Sequence, residues 1–251
     1  MSLFIAISAA APQSALAEDA AGVDIPPGYV VTVSLFIYDG NKTGTTYSLG
    51  VILDAHHIIS SKRAVLAHPL DALESRLAYR IIVVTSKTEV LSVTEYLYSP
   101  EAQQVLLTTK EELRSTTSLE LVYNYAPTAG EELSALLLVS AEGEPLEVTN
   151  LKLEPVAIEK IKVVITDRIL GGILTATEYL YPLQQQGASF LLTCKIHGGI
   201  VLNGAGQVVG LLLEDQDGQL FLLPLRGNED EDEGNGPPAT GVPDYINMLP
   251  N

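Results

Sequence analysis

The chain has 251 residues, of which 47% are hydrophobic, and its formal net charge at pH 7 is −17. A chain of this length can bury a sizeable core, either as one large all-β domain or as two domains of ordinary size. The acidic charge argues against binding to nucleic acid or to an anionic membrane surface, because contacts with phosphate groups need lysine and arginine.

The N-terminus has the pattern of a secretory signal peptide. An apolar run at residues 3–11 precedes an Ala-Leu-Ala sequence, a small-x-small cleavage pattern, and predicts a signal peptide over residues 1–17. The alternative is an ordinary N-terminal segment. The apolar run is too short to span a bilayer, and no other stretch of the sequence qualifies. An Asn-Lys-Thr acceptor sequence predicts N-glycosylation at Asn41.

The cysteine content instead favours an intracellular location. Cys194 is the single cysteine, so no intramolecular disulfide can form. The signal peptide predicts a secreted protein, whereas the lack of disulfides is typical of an intracellular one. Both locations stay open at this point.

Short runs rich in Val, Ile, Leu, Thr and Tyr recur along the chain, often separated by Gly, Pro, Asp or Asn, and predict a dozen or so strands. Many short strands with turn signals between them indicate a barrel or a sandwich. The predicted strands are residues 29–37, 46–53, 57–61, 79–85, 87–97, 104–108, 119–124, 133–139, 161–165, 189–193, 200–203, 207–213 and 219–225.

Helical periodicity is weak, and the two candidate helices lie at residues 175–183 and 242–249. Residues 226–241 are polar, acidic and contain Gly and Pro, so they repel one another and cannot pack. We interpret them as a solvated loop, with a binding site for a basic partner or for cations as the alternative.

The segment HGGIVLNGAGQVVGLL begins at His197 and joins a glycine pair to two apolar strands. It resembles the segment that carries the nucleophile in trypsin-like serine proteases, which reads Gly-Asp-Ser-Gly-Gly-Pro before an apolar strand, a glycine turn and a Val-Gly-Ile strand. In this resemblance His197 matches the serine, and Gly198 and Gly199 match the glycine pair.

Three further segments resemble the same family in the same order along the chain. Residues 50–65 match the strand and turn that carry the catalytic histidine, which places Arg63 at that position. Residues 98–110 match the strand of the catalytic aspartate, with Gln104 in its place. The terminal segment at residues 244–249 is similar to the C-terminal helix of the family.

The resemblance implies an all-β fold of two six-stranded antiparallel β-barrels with a short C-terminal helix, and no cofactor. The domain organisation that follows is a signal peptide over residues 1–17, an N-terminal extension over 18–28, an N-terminal barrel over 29–125, a C-terminal barrel over 126–225, an acidic loop over 226–241 and the helix over 242–251. We expect Arg63, Gln104 and His197 to converge in the cleft between the barrels.

The family's chemistry needs a nucleophile, an imidazole base and an acid that orients it. Arg63 stays protonated and cannot act as a base. Gln104 carries no charge to stabilise an imidazolium, and His197 replaces the nucleophile. The resemblance also puts Lys195 and Ile196 where the oxyanion-hole glycine and the aspartate that pairs with the new N-terminus would lie. Leu191 matches the base of the specificity pocket.

We predict no metal site. His56 and His57 are adjacent, and adjacent strand residues point to opposite faces, so the pair does not converge on one ion. His68 is a further isolated histidine.

The leading hypothesis is a non-catalytic serine protease homologue that binds a protein, such as a protease or its substrate. The first alternative is a hydrolase with a rearranged active site that uses His197, Lys195 or Cys194. The second is an intracellular interaction domain with the same fold.

Overall fold

The computed structural model describes residues 20, 22–38, 42–65, 78–98, 103–114, 119–140, 146–169, 172–186, 195–215 and 218–226. Some of these residues, including Lys195 to His197, are described by their backbone alone. Strands dominate the described chain, as the sequence predicted. No described helix has the length and apolar character needed to cross a membrane.

The N-terminal half of the fold is a closed antiparallel barrel with the strand order β1-β2-β3-β6-β5-β4. A short helix, α1, follows β3 without a connecting loop and so lies at the rim of this barrel. The elements are β1 (Tyr29–Tyr38), β2 (Lys42–Ile52), β3 (His57–Ser61), α1 (Lys62–Val65), β4 (Ala78–Thr85), β5 (Val90–Tyr98) and β6 (Gln104–Thr109).

The C-terminal half is a seven-stranded antiparallel sheet with the order β13-β12-β11-β7-β8-β10-β9, and β13 also pairs with β10. That pairing joins six of the strands into a ring and leaves β9 on its outside. The predicted two-barrel fold is therefore confirmed, with one strand more than expected in the second half. The strands are β7 (Leu133–Ser140), β8 (Glu147–Pro155), β9 (Ile161–Ile169), β10 (Gly172–Gln185), β11 (Lys195–Leu202), β12 (Val208–Glu214) and β13 (Leu220–Pro224).

Strands β1 to β4 of the first barrel contribute apolar residues from both of their faces to the core. Val30 belongs to an apolar cluster with Ile58 and Leu107, whereas the next residue, Val31, belongs to a second cluster that includes Phe221 of β13. Successive strand residues point to opposite faces, and β1 to β4 each contribute to both clusters, whereas β5 and β6 contribute only to the cluster of Val30. The second cluster contains strand residues of both barrels and therefore joins them.

Two sequence interpretations of the C-terminal half are wrong. Residues 175–183 belong to β10 rather than to a helix, because this segment pairs with β9 and then with β13. Residues 147–155 form β8 although no strand was predicted there. In β8 only Leu151 and Leu153 are buried, and the remaining residues are polar or half-exposed, which hides the strand pattern.

The predicted strand at residues 119–124 makes only isolated bridges, all to the second barrel. Leu121 bridges to Val208 and Tyr123 to Leu225, both in parallel. The Val122 N–H donates to the Val208 carbonyl at 2.9 Å. This segment therefore runs along the second barrel before the chain enters β7.

The structure describes only parts of some predicted segments and none of others. In the N-terminal extension, Ala20, Val23 and Ile25 are buried in the cluster that joins the barrels. Arg226 is the one described residue of the predicted acidic loop. The features outside the described residues are the signal peptide at 1–17, Asn41, His68, the strand at 189–193 with Leu191, Cys194, the loop from residue 227 onward and the helix at 242–251.

A substitution at Gly210 tests how closely β12 packs against β13. A Cβ atom at this position would lie 2.2 Å from the Leu223 carbonyl oxygen, inside a strand pair that includes Gly210 and Pro224. Because a main-chain oxygen cannot move aside without breaking that pairing, Gly210→Ala should lower the free energy of unfolding by about 1–3 kcal/mol. Urea denaturation followed by circular dichroism measures this change.

Gly204→Ala is the matched control, because a Cβ there meets only the Glu132 carbonyl, at 3.8 Å. Equal unfolding midpoints for Gly204→Ala and Gly210→Ala would contradict the packing described for β12.

Candidate functional site

Arg63 connects the two barrels. It lies in α1, at the rim of the first barrel, and its Nη1 atom donates a hydrogen bond to the Glu214 backbone carbonyl at 2.6 Å. Glu214 is the last residue of β12 in the second barrel. The guanidinium therefore faces the boundary between the barrels and holds a main-chain acceptor there.

Gln104 makes a second connection of the same kind. It is the first residue of β6, it is 1% exposed, and its Nε2 atom donates to the Pro224 carbonyl at 3.0 Å. Pro224 ends β13. Two side chains of the first barrel thus bind backbone carbonyls at the ends of adjacent strands in the second barrel.

The backbone of His197 lies in a β-bulge of β11. Ile196 pairs with Val139 and Gly199 pairs with Leu137, so His197 and Gly198 together lie opposite one residue of β7. The side chain of His197 lies outside the described part of the structure. A bulge changes the direction of a strand locally and is common beside functional sites.

The glycine pair allows the backbone of β11 to lie very close to neighbouring segments at two places. Gly198 has a φ of +68°, and a Cβ there would lie 2.5 Å from Ser48 Oγ and 3.6 Å from the Ala64 side chain. The bulge therefore lies against β2 and against the helix that carries Arg63. At Gly199, a Cβ would lie 2.7 Å from Leu137, within the core of the second barrel.

A cavity of about 320 Å³ lies between the barrels. Arg63 and Gln103 line it from the first barrel. The rest of its wall comes from β9, β10, β12, β13 and the residue after β12, and consists of Val163, Val164, Ile165, Leu180, Leu213, Glu214, Asp215 and Phe221. Apart from the two acidic residues, this part of the wall is apolar.

Gln103 was not among the residues that the sequence analysis selected. It is 1% exposed, and neither its Oε1 nor its Nε2 atom has a hydrogen-bond partner among the described residues. Its backbone carbonyl accepts a bond from the Lys62 N–H at 2.9 Å, which holds the residue beside α1. A glutamine next to Gln104 carries no sequence signal, because adjacent polar residues are ordinary at the start of a strand.

The two adjacent histidines have separate partners. The Asp54 carboxylate accepts hydrogen bonds from the backbone N–H groups of His56 and His57 and lies 2.8 Å from His57 Nδ1. The ring of His56 instead lies 3.3 Å from the Thr109 carbonyl. No group of three potential metal-ligating side chains occurs within the ranges that the structure describes.

Neither a protein-family model nor a curated protein matches this sequence. Among solved structures, the active form of the Rv3671c protease from M. tuberculosis matches with a TM-score of 0.54 and 15% identity, over 79% of this chain and 76% of that one. An inactive form of a mutant of Rv3671c from M. tuberculosis H37Rv gives a TM-score of 0.49 and 12% identity, over 85% and 88% of the two chains.

The chain has the chymotrypsin-like fold. This similarity concerns the fold alone. Within the chymotrypsin-like fold, the described side chains of Arg63 and Gln104 both reach from the first barrel to the second. The backbone of Gly198, one residue after His197, lies against the helix of Arg63.

The bond from Gln104 to Pro224 should contribute to stability. Gln104→Leu removes the donor and leaves a buried carbonyl without this partner, which should lower the free energy of unfolding by about 1–3 kcal/mol. Chemical denaturation of both proteins measures the difference. The control is Gln184→Leu, because Gln184 is exposed and pairs with Glu154 at the surface; an equal loss in both variants would contradict a specific role for Gln104.

Asp54 should make stability depend on pH. Partial burial raises the pKa of its carboxyl group, but hydrogen bonds from the His56 backbone and the His57 ring outweigh this and lower the pKa below the ordinary 3.8. A lowered folded pKa contributes stability above the unfolded pKa, and this contribution is lost as the pH falls through the folded value.

Asp54→Asn should therefore destabilise the protein at pH 6 and have a smaller effect at the acid end of the folded range. Thermal unfolding at both pH values measures this, and an effect independent of pH would show that the carboxylate charge has no role.

Proposed function

We propose that this chain is a non-catalytic serine protease homologue that acts by binding another protein. The observation that carries the proposal is the bond from Arg63 to the Glu214 carbonyl. A guanidinium stays protonated at every working pH and can only donate, so the residue aligned with the catalytic base cannot accept a proton from a nucleophile.

The residue aligned with the acid also has a different role. Gln104 is buried and donates to a backbone carbonyl of the second barrel. A carboxylate would stabilise a developing imidazolium by its charge, whereas a neutral amide bound to a carbonyl supplies no such stabilisation. Arg63 and Gln104 thus act as contacts between the barrels.

The histidines with described side chains offer no substitute base beside a nucleophile. His57 pairs with Asp54, and His56 lies against the Thr109 carbonyl. Neither ring is bonded to a hydroxyl or a thiol among the described residues. This supports binding as the function and leaves a site around His197 as the outcome that an activity assay must exclude.

The net charge of the chain indicates which class of protein it binds. With a net charge of −17, the chain attracts a protein with a basic surface, and such complementarity increases the association rate at low salt. We therefore propose a basic protein, such as a protease or a protease substrate, as the partner. Association should slow as the salt concentration rises, because salt screens charge.

The test of this function uses the purified full chain. It should not react with a fluorophosphonate probe and should not cleave a broad peptide library, whereas an active protease of the same fold, run in parallel, does both. Turnover that disappears in the His197→Ala variant would overturn the proposal and favour a rearranged hydrolase.

We also propose that the protein is secreted, on the basis of the predicted signal peptide. Mass spectrometry of the mature chain should find an N-terminus near Glu18 and a glycan on Asn41. A mature chain that keeps Met1 and carries no glycan would instead support the intracellular interaction domain.

A further inference from the structure

The outer face of β9 and β10 is a surface that the described part of the fold leaves uncovered. β9 is the end strand of its sheet and pairs only with β10 among the described strands. Val163 and Ile165 line the cavity on one face of β9, whereas Val164 on the opposite face is 62% exposed and Tyr179 of β10 is 58% exposed. Proteins usually cover or charge such an edge, because its backbone groups can pair with another segment.

This outer face also carries two lysines without a carboxylate partner. Lys162 lies in β9, and Lys160 lies directly before it with its Nζ atom 5.5 Å from the centre of the Tyr181 ring. Both lysines are exposed, and neither forms an ion pair with the described residues. Glu159 is the one acidic residue in the sequence from 156 to 165. The surface is therefore locally positive in a chain whose net charge is −17.

The chain continues beyond the described fold from a point beside this surface. Arg226 is the last described residue, and its guanidinium bonds to the buried carboxylate of Glu178 in β10. Glu178 is paired with Val163, the neighbour of Lys162 in β9. The acidic run, residues 229–233, consists of consecutive Glu and Asp residues and begins just after Arg226 in the sequence.

The acidic run is close enough along the chain to reach the two lysines. The Cα atoms of Glu178 and Val163 are about 5 Å apart, because the two residues are paired across adjacent strands. At about 3.3 Å per extended residue, the run can lie roughly 10 to 23 Å from Arg226. Glu178 lies on the cavity face and Lys162 on the opposite face, so the run has to cross the free edge of β9.

We propose that the acidic run binds across the free edge of β9 in the same molecule, with its carboxylates paired to Lys160 and Lys162. The tether through Arg226 gives the run an effective concentration of the order of millimolar, so weak exposed ion pairs suffice to hold it there. A second copy is a poorer occupant, because symmetric pairing of two β9 edges would bring two positive surfaces together.

The contact gives the run two competing partners. A protein with a basic surface, the partner class in the proposed function, attracts the same carboxylates and has to displace them from β9. This competition rests on the proposed function, whereas the contact with the lysines does not.

Zero-length cross-linking of the full chain tests the contact. A carbodiimide activates a carboxylate, takes up the water that is lost and leaves an amide to a lysine in direct contact, which mass spectrometry of the monomer locates. Links from the run to Lys160 and Lys162 should be about fivefold more abundant than links to Lys152, an exposed lysine of β8 in the same barrel. Their yield should fall in about 1 M NaCl, because salt screens exposed charges.

Two variants of the lysines test whether they hold the run. In Lys160→Gln/Lys162→Gln the run is released, so a Glu-specific protease should cleave within residues 229–233 several times faster than in the wild type, since cleavage follows the population of the open form. Lys152→Gln is the matched control, because it removes one exposed lysine of the same barrel outside the proposed contact. It should be cleaved at the wild-type rate.

Two variants of the run separate its charge from its length. Replacing its three Glu by Gln and its two Asp by Asn should shift the amide NMR resonances of β9 around Lys162. Replacing only Asp230 and Asp232 by Glu keeps every charge and should leave those resonances unchanged.

Three results would overturn the proposal. They are equal cross-linking to Lys152 and to the two β9 lysines, cleavage that does not accelerate in Lys160→Gln/Lys162→Gln, and cross-links found only between two chains, which would place the run on a second copy. Proteolytic turnover, or the absence of a basic partner, would refute the proposed function but not a cross-link within the monomer, so the two failures are distinguishable.

Discussion

The burial of apolar residues on both faces of β1 to β4 is the constraint on which the rest of the structure depends. One face forms a cluster within the N-terminal half, while the other shares a cluster with residues of the second barrel such as Leu211 and Phe221. Because this shared burial holds the barrels together, Gln104 at their boundary is removed from water, whereas Arg63 stays half-exposed. The buried amide of Gln104 then needs a hydrogen-bond partner, and the second barrel supplies it.

Arg63 and Gln104 both donate to strand-end carbonyls of the second barrel. In the resemblance to trypsin-like proteases, these two residues align with the catalytic histidine and aspartate. A guanidinium cannot accept a proton and a neutral amide carries no charge, whereas both side chains form contacts between the barrels. This combination is the reason for proposing a binding function.

Gln103 differs from its neighbour although both are buried. Gln104 has a carbonyl partner, whereas the amide of Gln103 has none among the described residues. An unpaired buried amide lowers stability, and functional sites commonly carry such a cost.

The sequence by itself determined most strands of the first barrel, since apolar runs such as the one that begins at Tyr29 are buried on both faces, here over residues 29–34. It also located the glycine pair, where backbone approaches neighbours too closely for a side chain. Tertiary structure alone decided the strand at residues 147–155, where only two leucines are buried, and β10, whose pairing overrides a weak helical pattern. It also decided the difference between Gln103 and Gln104, because hydrogen-bond partners more than a hundred residues away leave no trace in local sequence.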